Sequence, residues 1–598
     1  MKIKRTLFVI LSVFVLLLML VILELNKNTI LGFILTAAVT AGFYLLHRLI
    51  VQRKNKWYLK CALWLGWLIL FASVLFITYP PIRAVPAVTN KNPEATPVIC
   101  VQQGDVQGVY NEDKSVEVYA GIPYAQPPVG ELRWTEPQDP KPWDGVLKAD
   151  HFAPMSMQPR NLPIYDSLSQ IIAYHDYTIS LDDNYRPPVS EDSLYVNVWK
   201  PSGEVKDLPV LVYIHGGSLK TGQAWYADYS GEGLAKNDVI VVNLSYRLGV
   251  FGYYADEALA EESPNGTTGN YGLLDQIKAL EWVRDNIRSF GGDPDNITIA
   301  GESSGSASVS AICTSPLAKG LFRRAIMESS TVAGKVPPHS FRLMDEALET
   351  SEKTMREYGC TTVGELRAIP AKDLVAQAEA HHHITVDGYA LTETPYESYK
   401  KGIHNEEAIL HGYNEEESAA FLLFDKNDLS TYEDNIKRYF GEWSDEVLAA
   451  YPADTDEEAA RNWAEIYGAV FFDYPHYCLN RLAVQNDIPV YEYLFAKKNG
   501  RLGDWHSGEM VYCYGNIPDG SGLYDDRDRE LSGEMLSCFK NFITSGDPNG
   551  GDLPAWEQNE SSDSLMYFGD TTEMTGEREH ALFAILDKKY GFEAESLR

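Results

Sequence analysis

The sequence predicts an α/β domain with a mostly parallel central sheet, preceded by three transmembrane helices. Three observations lead there. Uncharged apolar runs fill Thr6–Leu23, Thr29–Leu46 and Cys61–Ile82. From Val98 on, short apolar runs of strand character alternate with stretches of helical spacing. The charge divides near the same boundary. Residues 1–96 hold 11 Lys or Arg and two acids, Glu24 and Glu94, whereas the remainder holds 40 basic and 82 acidic residues.

Each apolar run is long enough to cross a hydrocarbon core of ~30 Å as a helix, the one form besides a closed barrel that satisfies its own backbone in lipid. Glu24–Asn28 is a short loop, so the first two helices form a hairpin. Trp57, Tyr58 and Tyr79 flank the third run, as aromatic residues do at membrane interfaces. Lys2, Lys4 and Arg5 precede the first helix, and Arg48, Arg53, Lys54, Lys56 and Lys60 fill the second loop. The positive-inside rule puts both segments in the cytoplasm, so three crossings leave everything after Ile82 outside it. A cleaved signal peptide is the competing reading. However, Glu24-Leu25-Asn26-Lys27 offers no small-x-small cleavage site, and two further apolar runs follow. In the second helix, Gly32, Thr36, Thr40 and Gly42 suit close packing. The expected organisation is a membrane anchor over residues 1–82, an exposed Pro-containing linker over 83–97 and an α/β body over 98–598.

The 598-residue chain has a net charge of −33, which argues against nucleic acid as a partner. Seven Cys make no disulfide scaffold. In the body, Val210–Ile214 and Val239–Leu244 read as strands buried on both faces. Tyr271–Ser289 reads as a helix, Ile297–Ala300 as a strand and Ser306–Cys313 as a helix. Asp445–Ala460 reads as one acidic helix with a solvated face.

The chemistry centres on Gly301-Glu302-Ser303-Ser304-Gly305, a G-x-S-x-G pattern between a strand and a helix. In that setting a sharp turn lifts the Ser303 hydroxyl clear of the sheet. His215-Gly216-Gly217-Ser218 follows another strand, where backbone N–H groups can face a developing oxyanion. A Gly-rich turn of no chemical consequence is the alternative in both places. His381-His382-His383 raises the question of a metal. Three adjacent histidines cannot all face one ion on a regular element, so a solvent-exposed turn is expected and no metal.

With these motifs, the sequence resembles the type-B carboxylesterase family, the cholinesterase-like branch of the α/β-hydrolases. The resemblance runs from about Val98 to Leu582. It includes Gly121–Ala125, Leu132–Trp134, Ser190–Val198, Asn243–Arg247 and, most specifically, Gly269–Gly305. It implies the α/β-hydrolase fold and a serine hydrolase that cleaves carboxylic esters through a Ser-Glu-His triad and an acyl-enzyme, without cofactor. Gly412–Ser418 matches the family's acid motif and Gly503–Met510 its histidine motif. The implied triad is therefore Ser303, Glu417 and His506, with Glu415 and Glu416 as local competitors for the acid. The amides of Gly217, Ser218 and Ser304 correspond to the oxyanion donors, and Glu302 to a charge beside the site. Ser218 stands where the family commonly has a third glycine. Ser156 and Ser193 stand where it often has a disulfide, a loss that suits a bacterial cell surface. Two other classes remain open: a non-catalytic cell-surface binding module, as some relatives are, and an amide or thioester hydrolase using the same groups. Trp225, Tyr226 and Tyr229 either line a gorge or pack. The expected partners are a small ester and the lipid bilayer.

Overall fold

The computed structural model describes the chain apart from residues 1, 54–55, 83–86, 89–92, 161, 174–185, 332–340, 378–379, 423–424, 426, 499–503, 519–523, 560–563, 577–580 and 593–598. Lys54, Gly503 and parts of the expected linker thus lie outside the described residues. Two compact units emerge: Met1–Ala84 with Arg160–Pro188, and Val85–Pro159 with Val189–Arg598.

In the first unit, helices α1 (Lys2–Leu25), α2 (Ile30–Arg53) and α3 (Trp57–Ile77) are long and apolar enough to cross a membrane. The third helix starts four residues before the expected run and stops five short of its end. Thr78 caps it, with its N–H and Oγ1 both donating to Val74 O, and Pro80 and Pro81 cannot continue it. Met19, Leu23, Phe43, Trp67, Phe71 and Val74 form the interior, while Leu7, Ile10, Phe14, Leu17 and Phe76 face outward. That inside-out distribution suits a solvent as apolar as the core. The hairpin is pinned by Asn28 Nδ2, which donates to Leu75 O and Thr78 Oγ1, each at 2.9 Å. Thr36 and Thr40 are buried, and a Cβ on Gly32 would come within 2.6 Å of Thr78 Oγ1. Gly42 differs from the expectation, because it meets nothing within 4 Å. Helix α4 (Pro163–Ala173) belongs to this unit, and Arg186 donates from Nε to Pro80 O at 3.1 Å.

The second unit is built on one 11-stranded sheet. In chain order its strands are β1 (Val109–Tyr110), β2 (Val116–Pro123), β3 (Tyr195–Pro201), β4 (Leu208–Ile214), β5 (Ile240–Leu244), β6 (Gly292–Glu302), β7 (Arg324–Glu328), β8 (Ala408–Asn414), β9 (Val490–Phe495), β10 (Ser564–Phe568) and β11 (Thr572–Gly576). The spatial order is β1-β2-β3-β5-β4-β6-β7-β8-β9-β10-β11. The run from β5 to β10 is parallel, and antiparallel strands close both edges. Strands β4 and β5 are buried almost throughout, which is why they read as apolar runs rather than alternating ones; β7 is equally buried but is bounded by Arg324 and Glu328. Helices α5 (Tyr271–Asn286) and α6 (Ser304–Thr314) follow β5 and β6 in the chain.

Three sequence readings need correction. The acidic stretch after Asp445 is two helices, Ser444–Ala450 and Asp456–Gly468. Pro452 interrupts it, and Thr455 starts the second helix by accepting the Glu458 N–H at 3.2 Å. The histidine run is not wholly exposed: alternation along an extended segment leaves His381 outside and buries His382, which meets Thr354 Oγ1 at 3.0 Å. The far end of the linker is pinned, because Thr96 is buried and donates from N to Gly108 O. Where the resemblance implies a lost disulfide, Ser156 Oγ donates to Tyr246 O at 2.7 Å and lies 3.0 Å from Ser193 Oγ, whose proton it can accept. All seven cysteines are free.

Candidate active site

Ser303, Glu417 and His506 all follow the C-terminal ends of parallel strands, β6, β8 and β9 respectively. That edge of an open α/β sheet is where sites form. Ser303 has φ 56° and ψ −127°, left-handed backbone that a serine adopts only under constraint. The constraint is close packing. A Cβ on Gly305 would lie 2.0 Å from Ile214 O, and one on Gly301 2.5 Å from Gly305 C. Only glycines therefore let β6, α6 and the end of β4 approach this closely. Ser303 N donates to Glu328 O at 2.9 Å, which fixes the turn to β7.

The imidazole of His506 is held from both sides. Its Nδ1 lies 2.6 Å from Glu417 Oε2, and its Nε2 lies 3.2 Å from Glu302 Oε1. Glu417 Oε1 accepts the Asn414 N–H at 2.9 Å, so the carboxyl is oriented by its own strand. Phe421 and Phe472 stand 5.0 and 4.9 Å from the imidazole, centroid to centroid. Among the described residues the Ser303 hydroxyl makes no hydrogen bond; Nε2 faces Glu302 instead. Such bonds are often long before substrate binds. Glu415 and Glu416 are drawn outward, 3.6 and 2.7 Å from the exposed Lys498 Nζ.

Four buried carboxyls gather here: Glu302, Glu328, Glu417 and Glu509. Burial pushes Glu302 up to about 7, Glu417 to about 8 and Glu509 to about 7, and holds Glu328 well above the usual carboxylate range. The charged neighbours act in the same direction among the carboxyls, while His506 opposes it at Glu302 and Glu509. Each carboxyl has partners. Ser507 Oγ donates to Glu302 at 2.5 Å, Tyr514 Oη to Glu328 at 2.5 Å, and Ser329 Oγ and Asn414 Nδ2 to Glu509 at 3.0 and 2.5 Å. Sequence reasoning missed Glu328 and Glu509. Glu509 carried a signal in its place three residues after His506, and Glu328 in ending a buried strand on a charge.

The loop after β4 approaches the same point. A Cβ on Gly216 would meet Glu302 O at 2.6 Å and Ser303 Cβ at 3.0 Å. Gly217, Ser218 and Leu219 have successive φ values of 107°, 57° and 56°. Gly217 O accepts from Lys220 N and Thr221 N, and Leu219 N donates to Ser304 Oγ at 3.0 Å. Among the described residues, the amides of Gly217, Ser218 and Ser304 donate to no protein acceptor. His215 is buried against Tyr246, and burial lowers it to about 4, so it stays neutral. Of the three aromatic candidates, Tyr229 is buried and donates to Gln223 O, Trp225 stacks on Phe152 at 5.7 Å, and Tyr226 is exposed. Among the described residues no group of three or more His, Cys, Asp or Glu is placed to hold a metal ion.

The comparisons agree with this architecture. The signature of the carboxylesterase family matches residues 95–583. The chain is 31% identical over 494 residues to the fumonisin B1 esterase of Sphingopyxis macrogoltabida, covering 78% of this chain and 85% of that protein. It is 30% identical over 478 residues to the para-nitrobenzyl esterase of Bacillus subtilis, covering 76% and 90%. The crystal structure of the Geobacillus stearothermophilus carboxylesterase superposes with a TM-score of 0.69 at 30% identity, over 82% of this chain and 99% of that one. A strand-turn-helix serine on a mixed 11-stranded sheet, in a sequence matched over nearly its whole body, belongs to the carboxylesterase family, and the chain is a carboxylic ester hydrolase of the α/β-hydrolase fold.

Proposed function

We propose that Ser303, His506 and Glu417 form the triad of a membrane-anchored esterase that works through an acyl-enzyme. One observation carries the reading: His506 Nδ1 lies 2.6 Å from the buried Glu417, on the strand edge that also presents the strained Ser303. In this mechanism Glu417 holds the proton on Nδ1, leaving Nε2 free to accept the Ser303 proton. Ser303 Oγ attacks the ester carbonyl, and the amides of Gly217, Ser218 and Ser304 receive the oxyanion. His506 Nε2–H then protonates the departing alcohol. Water repeats the sequence on the acyl-serine and releases the acid. Glu302, 3.2 Å from Nε2, supplies a counter-charge for the imidazolium that forms in each half. No step calls on a metal or organic cofactor.

In this reading the three N-terminal helices anchor the enzyme, and the basic residues around Arg48–Lys60 favour a catalytic body outside the cytoplasm by the positive-inside rule. The natural domain division in this reading is the anchor over 1–82, the linker over 83–97 and the esterase over 98–598. The test is Ser303→Ala in the full-length protein, with p-nitrophenyl butyrate as substrate and a fluorophosphonate as label. Activity and labelling should vanish together with the fold intact by circular dichroism. Labelling that persists on another serine would sink the assignment.

A further inference from the structure

Helix α4 folds with the three N-terminal helices and packs against α1. Exposure locates the contact. Leu7, Ile10, Phe14, Leu17, Leu18 and Val21 leave the outward side of α1 open, but from Ile22 to Thr29 no residue is exposed. Helix α4 therefore meets the last turn of α1. Thr78, just beyond α3, lies at the same end of the bundle, where its Oγ1 accepts from Asn28 Nδ2. Arg186 is held there too. Its N–H donates to Pro81 O at 2.9 Å, and its guanidinium lies 4.5 Å from the centroid of the Tyr79 ring. This is the level at which the apolar stretches of α1 and α3 stop, at Leu25 and Ile77. On α4 itself, Pro163 and Ser167 are one turn apart and buried. Tyr165, Leu168 and Ile171 recur every third residue on an outward stripe, 59, 37 and 36% exposed, and Leu162 before them is 53% exposed. Beside the end of a spanning bundle, the medium that meets such a stripe is the boundary between headgroups and acyl chains, where amphipathic helices dock and tyrosine is enriched. Helix α4 contains no Lys or Arg, so its attraction is apolar and not to anionic headgroups.

We propose that α4 docks on the phospholipid bilayer at the ends of the spanning helices, its stripe of Leu162, Tyr165, Leu168 and Ile171 entering the boundary between headgroups and acyl chains. The inference rests on the membrane-anchored reading above and adds to it a second attachment that does not span. The occupant of the stripe is lipid, not the body and not a second copy of the chain.

The test uses the full-length protein in phosphatidylcholine nanodiscs, with the photocrosslinker p-benzoylphenylalanine placed singly at Tyr165 or at Leu168. Phe14, outward on α1, is the reference for a lipid-facing position, and Val129 and Leu343, exposed on the body, are references for water. Circular dichroism checks that each variant is folded, and mass spectrometry reads the adducts after irradiation. Both α4 positions should give phosphatidylcholine adducts at least about tenfold above Val129 and Leu343, and adding phosphatidylglycerol to the discs should change the yield less than about twofold. The proposal requires lipid adducts at both positions. Their absence at either one while Phe14 is labelled, or crosslinking to the body or to a second copy instead, overturns the proposal alone. A Phe14 variant that gives no lipid adduct overturns the membrane-anchored reading, and this proposal with it.

Discussion

The loop proposed to hold the oxyanion carries two non-glycine residues in left-handed backbone, and one side-chain hydroxyl props it. Ser218 and Leu219 have φ of 57° and 56°. For L-residues that conformation costs roughly 1–2 kcal/mol each. Leu219 is fully buried, and its N–H is satisfied by Ser304 Oγ at 3.0 Å. Removing that acceptor by Ser304→Ala leaves a buried donor unpaired, at roughly 1–3 kcal/mol. The loop can escape the cost by shifting, which moves the Gly217 and Ser218 amides away from the oxyanion. Loss of one such donor lowers kcat by about 10²–10³, so a partial shift should cost about tenfold to a hundredfold in kcat with little change in KM. Ser218→Gly relieves the strain at that position, by about 1 kcal/mol, and should raise the unfolding temperature. The two changes should couple. Ser304→Ala should cost clearly less in the Ser218→Gly background, because a relaxed loop holds its shape with less help. The assay is a double-mutant cycle on kcat for p-nitrophenyl butyrate, with thermal unfolding measured alongside. Strict additivity, or a Ser304→Ala enzyme with unchanged kcat, would refute the strut.

Glu417→Gln should lower kcat by at least about 10²-fold, because an amide cannot hold the imidazole in the required tautomer. Glu415→Gln and Glu416→Gln, which disturb only exposed pairs with Lys498, should stay within about twofold. Stability should fall as pH rises above 6.5. The folded carboxyls of Glu302, Glu417 and Glu509 titrate at about 7, 8 and 7, above their ordinary 4.5, so the stability they lend at low pH is lost as pH rises through those values. Buried His215, lowered to about 4, acts oppositely but only below 6.5. The melting temperature should therefore fall from pH 6.5 to 8.5; a melting temperature that climbs over that interval contradicts the burial of these carboxyls. Ser156→Cys with Ser193→Cys, replacing a 3.0 Å contact across 37 residues, should form a disulfide and add roughly 2–4 kcal/mol, seen as a rise in melting temperature that reductant abolishes. Protease added to intact cells should release an acidic, active fragment by cutting within Arg83–Pro97. Full protection until the membrane is permeabilised would reverse the orientation.

What the sequence made legible here was whatever local periodicity or a fixed spacing encodes. Strands β4 and β5 were readable because both faces are buried, and the Ser303 turn because its glycines are required by contacts of 2.0 and 2.5 Å. The acidic stretch after Asp445 was half readable. Its helical spacing was correct, but Pro452 and the Thr455 cap outweighed it and split the helix. Other features had no local signal. The segment Arg160–Pro188 joins the three N-terminal helices through contacts such as Arg186 with Pro80, between residues far apart in the chain.

The carboxyls make the same point about chemistry. In a body with 82 acids, nothing in composition separates Glu302, Glu328, Glu417 and Glu509 from the solvated remainder. They are set apart by desolvation, which belongs to the fold and not to the residue.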